Sequence, residues 1–147
     1  MAIDHVLKLY SDTIQSSYLH YGFWDNPHSI SLDSITLQDI KSAQERYIEH
    51  LATFIPSDVE TILDVGCGIG GNADYLIQSG YEIETLSPDD YQKEAISIKF
   101  KDTVPFHHCK FEKFECDKEY DLILESESAC YIDINKGFKK ASKILRD

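Results

Sequence analysis

The chain is poor in basic residues, and this shortage excludes several kinds of partner. Its 147 residues include 14 Lys and Arg against 26 Asp and Glu, which gives a formal net charge of −12. Nucleic-acid binding needs clustered cations that neutralise phosphates, and docking on an anionic membrane surface needs the same. The composition therefore argues against both a nucleic acid and a charged membrane as the partner.

Long apolar runs and paired cysteines are also missing. No segment approaches the ~20 apolar residues of a membrane-spanning helix, and the N-terminus lacks the basic start and apolar centre of a secretory signal. Four cysteines occur, and none forms the CxxC pair typical of a zinc site: Cys67, Cys109, Cys116 and Cys130. We therefore expect no membrane span, no metal site, free thiols and a cytoplasmic location.

The first third of the chain is predicted to form a helical and aromatic cap over residues 1–56. Apolar residues recur at helical spacing over residues 37–54, and Pro56 ends that pattern. Aromatic residues cluster before this helix, at Tyr10, Tyr18, Tyr21, Phe23 and Trp24. The remainder, residues 57–147, is predicted to form a second unit that binds the ligand.

In this second unit strand and helix patterns alternate. Strands are predicted at residues 61–65, 81–86, 104–109 and 120–125, and helices at residues 72–79, 87–98 and 134–145. Ser87 and Pro88 are predicted as the N-cap and the first residue of the middle helix. Such alternation predicts an α/β fold, a Rossmann-like parallel sheet with flanking helices, whose ligand lies beyond the carboxyl ends of the strands.

The strongest local signal is a run of glycines directly after the first predicted strand. Gly66, Gly68 and Gly71 satisfy the spacing of a dinucleotide-binding loop, which is weak on its own. Asp64, two residues before the first glycine, favours a different ligand, because a carboxylate attracts an ammonium group and repels a pyrophosphate. Both interpretations use the free N–H groups and positive potential at the start of the next helix.

Residues 62–71 resemble the first motif of the class I S-adenosylmethionine-dependent methyltransferases. Further segments agree with the tocopherol, sarcosine and cyclopropane-fatty-acid synthase-like branches of small-molecule enzymes. They are the entry segment at residues 20–24, the turn at residues 85–88, the fourth strand and its loop at residues 120–132, and the helix at residues 138–145. The resemblance spans residues 10–147.

The resemblance implies where S-adenosyl-L-methionine would bind. The glycine loop would wrap its methionine part, through Asp64, Gly66, Cys67 and Gly68. After the second strand Thr85 and Leu86 are the expected contacts, with Glu84 as the alternative. Further along the chain, Glu125 and Ser126 would face the sulfonium, and Phe111 would stack on the adenine or belong to the core. Tyr21 would cover the cofactor carboxylate, and the same is open for Tyr10 and Tyr18.

The function expected from the resemblance is methyl transfer to a small-molecule acceptor, with no residue identified as a catalytic base. Two alternatives stay open, a nicotinamide-dependent oxidoreductase fragment and a non-catalytic protein that acts by assembly. The family's sheet has seven strands and this sequence supplies about four, so we expect a C-terminally truncated, incomplete fold. Its fourth strand would be an exposed edge, and a bare apolar edge favours a homodimer.

Overall fold

The computed structural model describes residues 4–146, so residues 1–3 and 147 of the two predicted units lie outside the described residues. Helices and strands follow one another as α1 His5–Ile14, α2 Leu37–Ala52, β1 Thr61–Val65, α3 Gly71–Gln78, β2 Glu82–Leu86, α4 Asp90–Phe100, β3 Phe106–His107, β4 Leu122–Leu124 and α5 Ile134–Ile144. Within residues 4–146, no helix has the length and apolar character needed to cross a membrane.

The four strands form one parallel sheet in the order β3-β2-β1-β4. Asp64 of β1 pairs with Thr85 of β2 on one side and with Leu124 of β4 on the other. The predicted α/β fold with an incomplete parallel sheet is confirmed. Because β1 is central, the loop that follows it lies in the middle of the sheet's carboxyl edge, where ligands of such folds bind.

Local signals explain the best-defined elements. Thr36 and Asp39 cap α2 reciprocally: the Thr36 side chain accepts from the Asp39 N–H, and the Asp39 side chain accepts from the Thr36 N–H at 2.8 Å. Four of the five β1 residues are buried, as expected of a strand covered on both faces. This strand, residues 61–65, has the predicted bounds.

Two predicted boundaries are wrong. The helix after β2 begins at Asp90 with Asp89 as its N-cap, not at Pro88 with Ser87 as cap. The Ser87 hydroxyl instead accepts from the Asp89 N–H at 3.2 Å, which closes a turn before the helix. The third strand is only Phe106–His107. Its pairing with β2 ends there, because the Cys109 N–H donates to the His107 carbonyl at 3.0 Å and turns the chain away.

The apolar core lies on both faces of the sheet. One face packs around Leu63, Val65 and Tyr120 and is covered partly by α5. The opposite face packs around Ile62 and Ile83 together with residues of α2 and α3. This two-sided burial holds the central strands rigid, and they in turn fix the loops at their carboxyl ends.

The end of α5 returns to the start of β4. The Tyr120 N–H donates to the Ile144 carbonyl at 2.8 Å, and the Arg146 N–H donates to the Tyr120 carbonyl at 2.9 Å. The Asp121 carboxylate accepts from the N–H groups of Glu60 and Thr61 at 3.0 and 2.8 Å. These bonds cover the first residues of the β4 edge and tie that edge to β1.

Candidate functional site

A cavity of about 940 Å³ opens at the carboxyl ends of β1, β2 and β4. Its floor is the glycine loop, residues 65–69, and its walls are residues 86–89 after β2 and residues 126–132 after β4. Residues 17–21, from the segment after α1, close it from above. A ligand in this cavity therefore contacts backbone from four separate parts of the chain.

Gly66 is required by the geometry of the loop floor. Its φ is +76°, a left-handed conformation that side chains disfavour. A β-carbon at this position would overlap the side chain of Ser128, whose hydroxyl donates to the Val65 carbonyl. The loop after β1 and the loop after β4 thus lie in direct contact, which only glycine allows.

Gln44 of α2 holds the closing segment in place. Its side chain is fully buried, and its Nε2 donates to the carbonyls of His20 at 2.6 Å and Tyr18 at 3.3 Å. Nearby, Gly22 has a φ of +90°, and a β-carbon there would lie 2.6 Å from the carbonyl carbon of Ala43. The segment therefore rests closely against α2, and no signal in the sequence pointed to Gln44.

Several buried polar atoms around the cavity have no hydrogen-bond partner of good geometry within the described residues, although the Asn72 side chain lies beside the His20 ring. They are both ring nitrogens of His20, both carboxylate oxygens of Asp64, Oδ1 of Asn72 and Oε1 of Gln92. His20, Asn72 and Gln92 line the cavity. Buried polar groups are nearly always paired in folded proteins, so this set indicates a polar ligand that supplies the missing partners.

Burial favours the uncharged form of two of these groups and therefore moves their pKa values in opposite directions. It raises the pKa of Asp64 to about 7, since no neighbouring charge stabilises the carboxylate. It lowers the pKa of His20 to about 4, although the Asn72 side chain beside the ring raises it by a smaller amount. At neutral pH the imidazole is therefore uncharged.

The structure brings most of the predicted site residues together. Those that line the cavity are Tyr21, Gly66, Cys67, Gly68, Leu86, Phe111 and Ser126. Phe111 is also part of the core, with 2% of its surface exposed, and its stacking on an adenine stays a prediction. Asp64, Thr85 and Glu125 do not line the cavity.

Thr85 lies in the sheet and not in the cavity lining, so its role as a cofactor contact stays a prediction. It is fully buried, and its hydroxyl donates to the Pro105 carbonyl at 2.9 Å, which ties β2 to the start of β3. Neighbouring residues of a strand point to opposite faces, and Leu86, the next residue, lines the cavity.

The alternative contact, Glu84, also lies outside the cavity lining. Its carboxylate accepts from Tyr120 Oη at 2.6 Å and from Lys118 Nζ at 2.8 Å, and it lies 2.7 Å from His107 Nε2. Burial alone would raise its pKa, but these three partners lower the pKa to about 2. Glu84 thus belongs to a closed polar cluster away from the cavity, which we call the Glu84 cluster.

Sequence reasoning missed three polar residues of the cavity wall, His20, Asn72 and Gln92. Asn72 lies in the first turn of α3, and this position next to the glycine loop was the one usable signal for it. Gln92 enters the wall because α4 begins later than predicted. His20 was noted in the sequence only as a histidine without an evident partner.

The fold and the cavity define an α/β domain that binds its ligand at the carboxyl ends of parallel strands. A family model described as a methyltransferase domain matches residues 39–146. The chain belongs to this methyltransferase family, and S-adenosyl-L-methionine is the cofactor that the membership assigns to it. The resemblance read from the sequence is confirmed, and no comparison favours the nicotinamide-dependent alternative.

Among curated relatives, the chain is similar to a chloroplastic protein named probable tocopherol O-methyltransferase from Oryza sativa subsp. japonica. The two are 37% identical over 141 residues, an alignment that covers 86% of this chain and 37% of the relative. The chain thus spans less than half of the length of this relative.

Solved structures of methyltransferases share the fold. A candidate sarcosine dimethylglycine methyltransferase from Galdieria sulphuraria superposes with a TM-score of 0.75 at 22% identity, covering 97% of this chain and 56% of that one. The glycopeptide N-methyltransferase MtfA, solved with S-adenosyl-L-methionine, superposes with a TM-score of 0.60 at 14% identity, covering 67% and 48%. Both chains extend well beyond the part that this chain matches.

Proposed function

We propose that this chain forms the cofactor-binding part of a methyltransferase that transfers a methyl group from S-adenosyl-L-methionine to a small-molecule acceptor. The observation that carries the proposal is the cavity beyond β1, where a glycine loop is closed over by residues 17–21 and ringed by unpaired polar atoms. An apolar ligand would leave those atoms unsatisfied, whereas a cofactor with an amino-acid end and a ribose offers donors and acceptors.

The two ends of the cofactor are proposed to lie on opposite sides of the cavity. The methionine part fits between the glycine loop and residues 17–21. The adenosine part fits between residues 86–89, Gln92 and the ring of Phe111, which offers an apolar face for the adenine. The acceptor would then approach along residues 129–132, whose side chains include Tyr131 and Ile132.

Methyl transfer requires little chemistry from the protein in this proposal. The bound cofactor supplies an activated methyl group on its sulfonium. The chain's own residues exclude water through the closing segment and align the cofactor through the glycine loop. Ser126, which donates to the Tyr47 hydroxyl at 3.3 Å, fixes the loop after β4 beside the reacting end. The proposal assigns no proton-transfer role to any residue.

Calorimetric titration of the chain with S-adenosylhomocysteine and with NAD tests the proposal. We expect S-adenosylhomocysteine to bind and NAD to give no heat above dilution. Binding of NAD alone would overturn the methyltransferase assignment in favour of the oxidoreductase alternative. Binding of S-adenosylhomocysteine without turnover on any acceptor, also by a longer form of the protein, would support a non-catalytic role.

We also propose that two copies of the chain associate through the β4 edge. Within the described residues, β4 has a strand neighbour only on the β1 side, and the α5 side chains Ile134 and Phe138 are 66% and 71% exposed. Exposed edges and apolar patches favour pairing with another chain. Sedimentation velocity over a range of concentrations would show a dimer, and a monomer throughout would contradict this part.

Two further parts of the proposal rest on composition. The net charge of −12 supports a function without nucleic acid. The four cysteines are free thiols, one of them exposed at Cys130, which supports a reducing compartment such as the cytoplasm. A filter-binding assay and fractionation of cells that express the tagged protein would check these two points.

A further inference from the structure

Gly137 lies in the interior of α5, where glycine is an unfavourable residue. Apart from proline it is the poorest helix former, because it loses more backbone freedom on folding than any other residue. Since α5 runs from Ile134 to Ile144, Gly137 does not end the helix, and it is buried. The reason for a glycine at this position therefore lies in what packs against it.

The space beside Gly137 is occupied by Ile132, which precedes the helix. A β-carbon at Gly137 would lie 2.7 Å from Cγ2 of Ile132, well inside the distance at which two carbon atoms make a favourable contact. The same β-carbon position lies 3.9 Å from Cδ1 of Phe111, which is an ordinary contact. The Ile132 side chain thus fills a notch in α5 that exists only because residue 137 has no side chain.

This notch lies directly behind one wall of the cavity. Ile132 and Phe111 both line the cavity, within a wall formed by residues 110–112 and 129–132. Phe111 is 2% exposed and belongs to the core, so it is not free to move aside. Because Ile132 contacts α5 on one side and lines the cavity on the other, its displacement from the notch is directed into the cavity.

Ile132 has little freedom to avoid a larger residue at position 137. Its N–H donates to the Ala129 carbonyl at 3.2 Å, and the N–H of the next residue, Asp133, donates to the Glu112 carboxylate at 3.0 Å. These bonds hold the backbone on both sides of Ile132. A β-branched side chain also has few accessible χ1 rotamers, so an added methyl group at residue 137 would push it towards the ligand.

We propose that Gly137 determines the width of the cavity beside the group that is transferred, by fixing the position of Ile132; this assignment rests on the proposed function. The proposed acceptor side is formed by residues 129–132, so the substituent on the cofactor's sulfur points towards this wall. A side chain at residue 137 narrows that space, and a smaller side chain at residue 132 enlarges it. Gly137 is thereby assigned as a positioning residue that sets specificity for size and acts through Ile132.

The test measures the affinity for three ligands that differ in the substituent on sulfur. S-adenosylhomocysteine carries none, S-adenosyl-L-methionine carries a methyl group, and S-adenosylethionine carries an ethyl group. The last two share the positive charge, so the ratio of their affinities reports size alone. For Gly137→Ala we expect calorimetry to show at least about a tenfold loss for S-adenosylethionine and less than about a threefold loss for S-adenosylhomocysteine.

Variants of Ile132 separate this effect from general destabilisation. Ile132→Ala should shift the ratio the other way, in favour of the ethyl compound. In the double variant Gly137→Ala with Ile132→Ala the added methyl group has no Cγ2 to displace, so all three affinities should equal those of Ile132→Ala. Asn135→Ala, at an exposed position of the same helix, also improves helix propensity and is the matched control. It should bind all three ligands like the wild type.

Two results would overturn the assignment. One is an equal change of affinity for all three ligands in Gly137→Ala, and the other is a double variant in which the effects of the two single variants simply add. If Gly137→Ala does not fold, an unchanged ratio in Ile132→Ala overturns the assignment by itself. Wild-type protein that does not bind S-adenosylhomocysteine would instead contradict the proposed function.

Discussion

Glu84 and His20 are both largely buried polar side chains, yet their surroundings differ completely. The Glu84 carboxylate has three partners within 2.8 Å, supplied by β3 and by the residues before β4. The His20 ring has none of good geometry among the described residues, although both of its nitrogens are buried. The Glu84 carboxylate is thus held by three partners, whereas the His20 ring is held by stacking between aromatic rings and by the Asn72 side chain beside it.

This difference separates residues that stabilise the fold from residues that bind. Family resemblance alone brought Glu84 into consideration as a ribose contact, because it lies near the carboxyl end of β2. Its three hydrogen-bonding partners hold the carboxylate in the Glu84 cluster, away from the cavity. Asn72 and Gln92, which the resemblance did not indicate, line the cavity instead. Hydrogen-bond completeness is thus a more direct guide to the site than position in a motif.

The largest effect on the binding side is expected from Gly66→Ala. The added methyl group would overlap Ser128 and strain a residue with φ of +76°, so the loop would move into the cofactor's place. We expect affinity for S-adenosylhomocysteine to fall by at least about 100-fold, or about 2.7 kcal/mol, measured by calorimetry.

Gly80→Ala is the matched control for this substitution. Gly80 also has a positive φ, of +99°, but no atom lies within 4 Å of its β-carbon position. It should lose about 1 kcal/mol of stability from backbone strain and keep its affinity. Similar affinity losses in the two variants would show that general destabilisation, rather than the floor of the cavity, is responsible.

The opposite behaviour is expected from Glu84→Ala. Removing the carboxylate leaves Lys118 and Tyr120 without their shared partner, which should cost about 2 kcal/mol of unfolding free energy. The affinity for S-adenosylhomocysteine should change less than about threefold. Urea unfolding measures the stability and calorimetry the affinity. A large loss of affinity at unchanged stability would show that Glu84 belongs to the binding site and not to the fold.

Glu84 also predicts a pH dependence. Its folded pKa of about 2 lies below the ordinary value of 4.5 expected in the unfolded chain. The folded state therefore holds the charged form more strongly, and this stabilisation is complete above pH 4.5 and is lost as the pH falls towards 2. Urea unfolding between these pH values should show a steeper loss of stability for the wild type than for Glu84→Gln.

Asp64 should respond to pH in the reverse direction. Its folded pKa of about 7 lies above the ordinary 3.8, so ionisation opposes folding and the stability of the free protein falls between these two pH values. Asp64→Asn should remove that fall and weaken binding about tenfold, because the carboxylate no longer attracts the cofactor's ammonium. Thermal melts at several pH values and calorimetry test both halves; unchanged affinity would exclude this role for Asp64.

The smallest effect is expected from Thr85→Val. The hydroxyl donates to the Pro105 carbonyl away from the cavity, so its loss should cost about 1 kcal/mol of stability and leave cofactor affinity unchanged. Calorimetry and urea unfolding on the same preparation measure both. A fall in affinity larger than the fall in stability would return Thr85 to the binding site.

The sequence predicted those features that depend on neighbouring residues. The bounds of β1, the body of α2 and the glycine loop follow from apolar period, a capping pair and glycine spacing, and all three lie where expected. The start of α4 and the short β3 depend on which of several competing hydrogen bonds form once the sheet is in place. The choice between Ser87 and Asp89 as cap is of this kind.

The site was predictable to the same extent. Gly66, Cys67, Gly68 and Leu86 follow β1 and β2 directly, so a motif locates them. Thr85 and Leu86 are harder to distinguish, because a shift of one residue in a strand reverses the face, and only Leu86 lines the cavity. His20 and Gln92 reach the cavity only through packing of α1, α2 and α4 against the loop, which local patterns do not encode.

The sheet order β3-β2-β1-β4 bears on how the protein is made. The central strand is the first to leave the ribosome, and β2, β3 and β4 each emerge when a neighbour with a free edge is already present. Growth can therefore proceed outwards from β1 without waiting for a strand still to be synthesised, as expected for a domain that folds during translation. The cavity differs from the sheet in this respect. Its glycine loop is made early, but residues 126–132, which complete the cavity wall, are the last of its lining segments to be made.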